Sequence, residues 1–357
     1  MKKVFIVNFL ICLFSFLLFN SSLDFEKSAN KNRPRNIIIF IGDGMGLASI
    51  SYLISIEKQS LNIEKFKHIG FSKTYSASNY ITDSGAGGTA IATGQKTYNS
   101  AVGVNKDTIP VKNLIEIAKE KGLTTGIVVT SSVTYATPAS FVAHIKNRNL
   151  DNEIAYSYLN NTVDIFIGGG NKYFNKSIKD SLIKLGYQIV YDTNSLKVAQ
   201  NTKIAALLAE NHLPRAKNRG NMLSLSVKKA IDLLSKNMEG FFLMVEGSQI
   251  DWAAHLNDKN YLVDEIKDFD NAIGVALDFA MKNENTLIIV TADHETGGII
   301  LSENKRDKKL PDLKFCSKNH TGVMVPVFAY GTNAEFFTGI YENTDIFYKI
   351  KKLMNYE

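Results

Sequence analysis

The feature that most constrains the fold is an alternation of continuous apolar runs with segments of helical periodicity. A run such as 36–41 (NIIIFI) is typical of a central strand that is buried on both faces of a parallel sheet. Comparable strand signals occur at 125–130, 164–170, 241–245, 286–291 and 325–331. Helical spacing of apolar residues, or a glycine stop signal, marks the segments 111–121, 222–237 and 261–282. The sequence therefore predicts an α/β fold, a three-layer sandwich with a central, mainly parallel β-sheet flanked by helices.

The N-terminus has the pattern of a secretory signal. Two lysines precede an apolar run at 4–19, and polar residues follow at 20–22. This predicts a signal peptide at 1–22, a periplasmic or secreted protein, and no stable membrane insertion after cleavage. An uncleaved membrane anchor is the alternative, although the run is short for a spanning helix of about 20 residues. No linker divides residues 36–357, which we expect to form one domain.

The composition argues against a stabilising disulfide and against a nucleic-acid partner. Cleavage after the signal would leave only Cys316, so no intramolecular disulfide could form, and stability must come from the core and any bound metals. The net charge of +6 is spread along the chain, and no Lys/Arg cluster with interleaved aromatics is present. We therefore expect no nucleic-acid partner. The Lys-rich segment 302–319 is interpreted as a solvated loop.

The stretch 80–90 (YITDSGAGGTA) places Ser84 before a run of small residues and a helix-compatible segment. Small side chains allow a substrate to approach the backbone, and a helix N-terminus favours a phosphate group. These features make Ser84 a candidate nucleophile, which would require a base or a metal to lose its proton. A flexible turn is the alternative if the stretch is taken alone.

Acids and histidines follow several of the predicted strands, on what should be one edge of the sheet. The set comprises Asp43, Glu246, Asp251, His255, Asp293, His294 and His320. Any one of them could be a helix cap or an ordinary polar residue, but so many at strand ends are difficult to explain as caps.

Residue types and spacing indicate which metals this set could bind. Asp251 and His255 are four residues apart, so one helical turn places both on the same face, a spacing that suits zinc. A carboxylate and hydroxyl set such as Asp43, Glu246 and Thr137 suits magnesium.

Six blocks in this order resemble the alkaline phosphatases, and the resemblance extends from about residue 36 to the C-terminus. The blocks are 41–46 (IGDGMG), 82–84 (TDS), 136–148 (with ATPA, VAH and Arg148), 245–255 (with VEG, Asp251 and His255), 291–294 (TADH) and 320–322 (HTG). The resemblance implies that 36–357 is an alkaline phosphatase catalytic domain. It also implies hydrolysis of small-molecule phosphate monoesters to alcohol and inorganic phosphate through a phosphoserine, with broad specificity and an alkaline pH optimum, by a homodimer.

The resemblance further implies two Zn²⁺ and one Mg²⁺. The implied ligands are Asp251, His255 and His320 for one zinc; Asp43, Asp293 and His294 for the second zinc, which also binds Ser84 during turnover; and Thr137, Glu246 and a second oxygen of Asp43 for magnesium. Arg148 would bind two phosphate oxygens, a geometry that its planar guanidinium matches.

Two positions depart from the family pattern. Tyr135 stands where many relatives carry Asp or His near the magnesium, and Trp252 stands where some carry Lys or His facing the phosphate. Both replacements remove a charged or titratable group, which bears on magnesium affinity and the pH optimum rather than on the reaction type. His144 lies in a matching block but is interpreted as structural.

Three other functions remain open at this stage. A phosphodiesterase or a sulfatase could share the fold, but Glu246 argues against the former and the context of Ser84 against the latter. A non-catalytic binding relic would be expected to have lost at least one ligand, whereas every ligand type is present.

Overall fold

A ten-stranded β-sheet forms the centre of the protein in the computed structural model, which describes residues 33–355. The predicted signal peptide at 1–22 lies outside these residues. Within the described part of the chain, no helix combines the length and apolar character needed to cross a membrane.

Strands and helices alternate along most of the chain. The strands of the large sheet are β1 Asn36–Gly42, β2 His68–Lys73, β3 Thr124–Ser132, β4 Ile165–Gly169, β5 Gln188–Val190, β6 Ile204–Leu207, β7 Phe241–Gly247, β8 Thr286–Thr291, β13 Val325–Gly331 and β14 Gly339–Glu342. Two small antiparallel pairs are formed by β9 Glu295–Thr296 with β12 His320–Thr321, and by β10 Ile299–Glu303 with β11 Pro311–Phe315. The α-helices are α1 Leu47–Ile56, α2 Ser84–Thr93, α3 Leu114–Glu120, α4 Ala136–Ser140, α5 Asp151–Ser157, α6 Lys176–Lys184, α7 Thr193–Val198, α8 Ala216–Arg219, α9 Met222–Leu234, α10 Gln249–His255, α11 Lys259–Ala280 and α12 Asn343–Leu353.

The sheet order is β14-β2-β13-β8-β1-β7-β3-β4-β6-β5. Only β13 runs antiparallel to its neighbours, β2 and β8, while the other pairings in this sheet are parallel. The predicted mainly parallel sheet is therefore confirmed.

Successive residues of β1 face two different hydrophobic cores. Ile38 and Phe40 pack with residues of α1, α9 and α11, whereas Ile37, Ile39 and Ile41 pack with residues of α2, α3 and α12. Side chains alternate across a strand, so a strand with helices on both faces must be apolar throughout. This is why 36–41 is a continuous apolar run, and it confirms the three-layer architecture.

The third helix begins three residues later than the predicted segment 111–121. Asn113 caps it by accepting a hydrogen bond from the Glu116 N–H (3.0 Å), while the Glu116 carboxylate accepts one from the Asn113 N–H (2.9 Å). This reciprocal capping box fixes the start at Leu114. Gly122, predicted as a stop signal, adopts a left-handed conformation with φ of 77° just after the helix.

His144 joins the segment before Arg148 to α3. Its Nδ1 lies 2.7 Å from the Gly103 carbonyl oxygen, and its Nε2 lies 2.9 Å from Glu116 Oε1. Both partners are acceptors, so the arrangement favours the doubly protonated imidazolium. Burial lowers the pKa of His144, but the hydrogen bond to Glu116 and the bond to Gly103 outweigh it and raise that pKa above its usual value. These contacts agree with the structural interpretation of His144.

Replacing His144 by glutamine should destabilise the protein in a pH-dependent way. Because the folded-state pKa of His144 is raised, its stabilising contribution is complete below the unfolded-state pKa and is lost as pH rises through the folded-state value. We expect His144→Gln to cost about 1–2 kcal/mol near pH 5.5 and clearly less at pH 9. Thermal unfolding of wild type and variant across this range measures the difference.

Glu116→Gln provides the matched control, since it neutralises the partner instead of the imidazole. Its destabilisation should show the same pH dependence. The double variant should be less stable than the less stable single variant by at most a few tenths of a kcal/mol, because both changes remove the same contact. A cost of His144→Gln that is constant from pH 5.5 to 9 would show that the imidazolium does not stabilise this contact.

Candidate active site

The predicted site residues converge at the carboxyl ends of adjacent central strands. Asp43 follows β1, Glu246 lies near the end of β7, and Asp293 and His294 follow β8. Since β1 pairs with both β7 and β8 in parallel, these ends meet at one edge of the sheet. The helix α10 adds Asp251 and His255, and β12 adds His320.

Asp251, His255 and His320 form the first cluster of potential ligands. Asp251 Oδ1 lies 3.3 Å from His255 Nε2 and 3.5 Å from His320 Nε2, and the two Nε2 atoms are 3.1 Å apart. The predicted helical turn brings Asp251 and His255 together as expected.

Asp43, Asp293 and His294 form the second cluster, which also contains the Ser84 hydroxyl. His294 Nε2 lies 3.5 Å from Asp43 Oδ1 and 3.3 Å from Asp293 Oδ2. Ser84 Oγ lies 3.4 Å from Asp43 Oδ1 and 3.3 Å from His294 Nε2. The two clusters adjoin, because ligand atoms of Asp251, His294 and His320 also lie within 4.8 Å of one another.

These separations fit bound zinc. A tetrahedral ion with metal–ligand distances of about 2.0–2.1 Å separates its ligands by about 3.3–3.4 Å. The distances within both clusters, 3.1–3.5 Å, bracket that value.

The imidazoles of both clusters are oriented by contacts at Nδ1. His255 Nδ1 bonds to the Lys318 carbonyl oxygen (2.5 Å), and His320 Nδ1 bonds to the Thr82 carbonyl oxygen (2.9 Å). His294 Nδ1 lies 3.3 Å from Thr296 Oγ1. A proton on each Nδ1 leaves the Nε2 lone pair directed into the cluster, the orientation that a metal ligand requires.

Thr137, Glu246 and Asp43 carry buried oxygen atoms without a hydrogen-bond partner among the described residues. The atoms are Thr137 Oγ1, Glu246 Oε1 and Asp43 Oδ2. All three residues are fully buried. Unpartnered buried oxygens are costly, and a hydroxyl with carboxylates is an oxygen donor set that suits magnesium. The residues therefore fit a third cation, as the resemblance implies.

Burial also perturbs the ionisation of these acids. Desolvation raises the pKa of Asp43 well above its usual value, and repulsion by the neighbouring carboxylates raises it further. Desolvation raises the pKa of Asp293 to about 6 and that of Glu246 to about 7. Burial also raises the pKa of Asp251, but the adjacent imidazoles of His255 and His320 outweigh it and hold that pKa below the usual range. Asp43, Glu246 and Asp293 thus resist ionisation together, and a group of such buried acids is a favourable site for cations.

The Ser84 nucleophile candidate occupies the first position of α2, as predicted. Asp83 caps this helix by accepting a hydrogen bond from the Ala86 N–H (2.9 Å). A Cβ added at Gly87 would lie 3.0 Å from the Asp293 carbonyl oxygen, and one at Gly85 would lie 2.8 Å from that of Ala101. The small residues after Ser84 therefore allow α2 to pack closely enough to place the hydroxyl in the second cluster.

Arg148 lies beside the N-terminus of α2. Its side chain packs over Gly85, and Nη1 donates a hydrogen bond to Asp83 Oδ2 (3.1 Å). Burial lowers the pKa of Arg148, but the negative charges near it outweigh burial and raise that pKa further. The guanidinium is thus a fixed positive charge next to the candidate nucleophile.

Sequence reasoning assigned no role to two residues that organise this site. Asp83 both caps α2 and pairs with Arg148, and its position directly before Ser84 was the available signal. Thr296 donates a hydrogen bond to Asp251 Oδ1 (2.5 Å) and contacts His294, so it links the two clusters. No sequence signal marks Thr296, because its partner Asp251 is distant in the chain.

Comparison with known proteins places this arrangement in a family. The family profile described as "Alkaline phosphatase" matches residues 34–309 and 302–356. Alkaline phosphatase 4 of Bacillus subtilis is 34% identical, over 91% of this chain and 90% of the relative. Among solved structures, the alkaline phosphatase from the Antarctic bacterium TAB5 is 45% identical with a TM-score of 0.86, over 91% of this chain and 99% of that one.

A variant of the TAB5 enzyme in which a histidine is replaced by aspartate is also similar, and it carries magnesium in its M3 site. It is 43% identical with a TM-score of 0.84, again over 91% of this chain and 99% of that one. The matched length, the sheet and the clusters of potential metal ligands agree with one another. The chain belongs to the alkaline phosphatase family, and it is a hydrolase of phosphate monoesters.

Proposed function

We propose that this enzyme transfers the phosphoryl group of its substrate to Ser84 and then to water. The observation that supports this most directly is the position of Ser84 Oγ, within 3.4 Å of both Asp43 Oδ1 and His294 Nε2 at a helix N-terminus. A serine needs such surroundings to act as a nucleophile. The substrates would be small phosphate monoesters of varied structure, hydrolysed best at alkaline pH.

Two zinc ions and one magnesium ion would complete the site. Asp251, His255 and His320 would hold one zinc, and Asp43, Asp293 and His294 the other. Thr137, Glu246 and the second oxygen of Asp43 would hold magnesium. When bound, the cations supply the positive charge that allows the serine to lose its proton and the leaving alkoxide to depart.

The protein's own residues perform the remaining tasks. Arg148 orients the phosphoryl group with two parallel hydrogen bonds, and Asp83 keeps the guanidinium in place. Ser84 Oγ attacks phosphorus in line, so that the bond to the alcohol oxygen breaks as the Oγ–P bond forms. After the alcohol leaves, water attacks the phosphoserine from the opposite side, which releases inorganic phosphate and restores Ser84. Two inversions give overall retention.

Family membership favours this reaction over the alternatives. A phosphodiesterase would not need the third cation position, yet the unpartnered oxygens of Thr137, Glu246 and Asp43 are present. A sulfatase would need a different sequence around its nucleophile, and a non-catalytic relic would lack part of the ligand set.

The cellular setting is proposed from the sequence and by analogy. Cleavage of the signal peptide at 1–22 would release the catalytic domain 36–357 into the periplasm or the medium. Assembly as a homodimer is proposed by analogy with relatives.

Ser84→Ala should abolish formation of the phosphoenzyme and lower kcat by at least about a thousandfold, because it removes the oxygen that attacks phosphorus. Labelling with radioactive phosphate at acid pH, followed by acid quench, detects the phosphoserine. The exposed serine of α6, changed in Ser177→Ala, is the matched control and should label like wild type. Acid-stable label on Ser84→Ala protein would refute the assignment.

Arg148→Ala should raise the inhibition constant for inorganic phosphate by about 10- to 100-fold, since it removes a charge-assisted bidentate contact. Zinc and magnesium content should stay unchanged, because Arg148 is not a metal ligand. Arg215→Ala, which removes a half-exposed arginine, controls for the loss of charge. Inhibition that is the same in wild type and Arg148→Ala would argue against phosphate binding by this residue.

A further inference from the structure

Arg148 is restrained by two contacts of different kinds. Its Nη1 donates to Asp83 Oδ2 at 3.1 Å, and its Cζ lies over the Tyr135 ring at 5.0 Å from the centroid. The second distance is within the range at which a guanidinium is attracted to an aromatic face. Asp83 is itself fixed, because its Oδ2 also accepts a hydrogen bond from the Ser100 N–H (3.0 Å).

The Tyr135 ring is held by two further rings. The Trp252 indole N–H donates to the Tyr135 hydroxyl (3.3 Å), with ring centroids 5.6 Å apart and planes at 84°. The His212 ring contacts both, with its centroid 5.6 Å from Tyr135 and 4.6 Å from Trp252. All these contacts are edge-on, which is a favourable arrangement for aromatic pairs.

His212 connects this aromatic cluster to the central sheet. Its Nδ1 accepts a hydrogen bond from the backbone N–H of Ser132 (2.9 Å), at the end of β3. The cluster of Tyr135, Trp252 and His212 is therefore supported by sheet backbone at one side and contacts Arg148 at the other.

We infer that Tyr135 is a positioning residue for Arg148: the guanidinium lies over the face of its ring, and Trp252 fixes that ring. The inference rests on the proposed role of Arg148 in binding phosphate. The attraction of a cation to a ring face does not depend on a hydrogen-bond acceptor, so it can restrain the guanidinium beside the hydrogen bond to Asp83.

The aromatic support differs physically from a charged one. A carboxylate beside Arg148 would accept N–H donors and neutralise part of the charge, as Asp83 already does. The ring face of Tyr135 accepts no hydrogen bond from Arg148. The guanidinium N–H groups that are not bonded to Asp83 therefore stay available for a phosphoryl group. The departures of Tyr135 and Trp252 from the family pattern thus form one unit, because their side chains are joined by a hydrogen bond.

The test is the inhibition constant for inorganic phosphate in metal-loaded Tyr135→Leu and Tyr135→Phe, each made in wild type and in Arg148→Ala. Tyr135→Leu removes the ring and should raise the constant about three- to tenfold. Tyr135→Phe keeps the ring face but loses the hydrogen bond from Trp252, so it should raise the constant about two- to threefold, which is less than the effect of Tyr135→Leu. In the Arg148→Ala background, Tyr135→Leu should have no further effect, because there is no guanidinium to position.

Trp252→Phe is a milder second variant, since it keeps an aromatic ring at this position but removes the indole N–H and part of the ring surface. It should raise the same constant about two- to threefold, and this effect too should vanish with Arg148→Ala. If Tyr135→Leu loses metal or fails to fold, Trp252→Phe tests the positioning role in its place.

The outcomes separate this inference from the proposed function. If Arg148→Ala relieves inhibition but neither Tyr135→Leu nor Trp252→Phe does, or if their effects persist in full without Arg148, the positioning role is wrong and the proposed function stands. If phosphate inhibits wild type and Arg148→Ala equally, the proposed role of Arg148 fails as well.

Discussion

The structure depends on burying several carboxylates together at one edge of a sheet. Asp43, Glu246, Asp251 and Asp293 are each at most 3% exposed. Desolvation and mutual repulsion oppose the ionisation of Asp43, Glu246 and Asp293, so these carboxylates are stable in the charged state only with compensating positive charge. Three histidines directed inward through Nε2 and the partnerless oxygens around Thr137 are what cation binding requires. Bound cations would therefore serve two purposes: they would take part in catalysis, and they would stabilise the buried carboxylates of the folded protein.

Much of the central fold could be predicted because its signals are local. Strand β1 is apolar throughout since both of its faces are covered, and a glycine or an acid marks where the central strands end. Four strands of the large sheet were not assigned: β5 and β6 at one edge, and β2 and β14 at the other. The reason is clearest for β2 and β14. Their sequences, HIGFSK and GIYE, mix polar with apolar residues, and their place in the sheet is fixed by pairing with each other and, for β2, with β13. Such pairing depends on contacts distant in sequence, which no local pattern reveals.

The candidate site divides in the same way. Most of the candidate metal ligands could be named because they follow a strand or repeat at helical spacing. Thr137 and His320 could be named because the ordered blocks resemble a known family. The contacts that orient the site residues could not be predicted, because they join segments that are separate in the sequence. They are the contacts of Thr296 with Asp251, of Thr82 with His320 and of Asp83 with Arg148. Tyr135 and Trp252 were visible only as departures from a pattern. Their common role follows from the hydrogen bond between them and from the position of the Arg148 guanidinium over the Tyr135 ring.

The central claim is that distant segments of the chain build a three-cation site into which Ser84 Oγ points. The most direct test is a crystal structure with bound phosphate, with anomalous diffraction collected on both sides of the zinc absorption edge. We predict two zinc peaks about 4 Å apart, one at Asp251, His255 and His320 and the other at Asp43, Asp293 and His294. A lighter ion without an edge signal should lie at Thr137 and Glu246. Zinc peaks bound by other residues, or a phosphate remote from Ser84 and Arg148, would contradict the account.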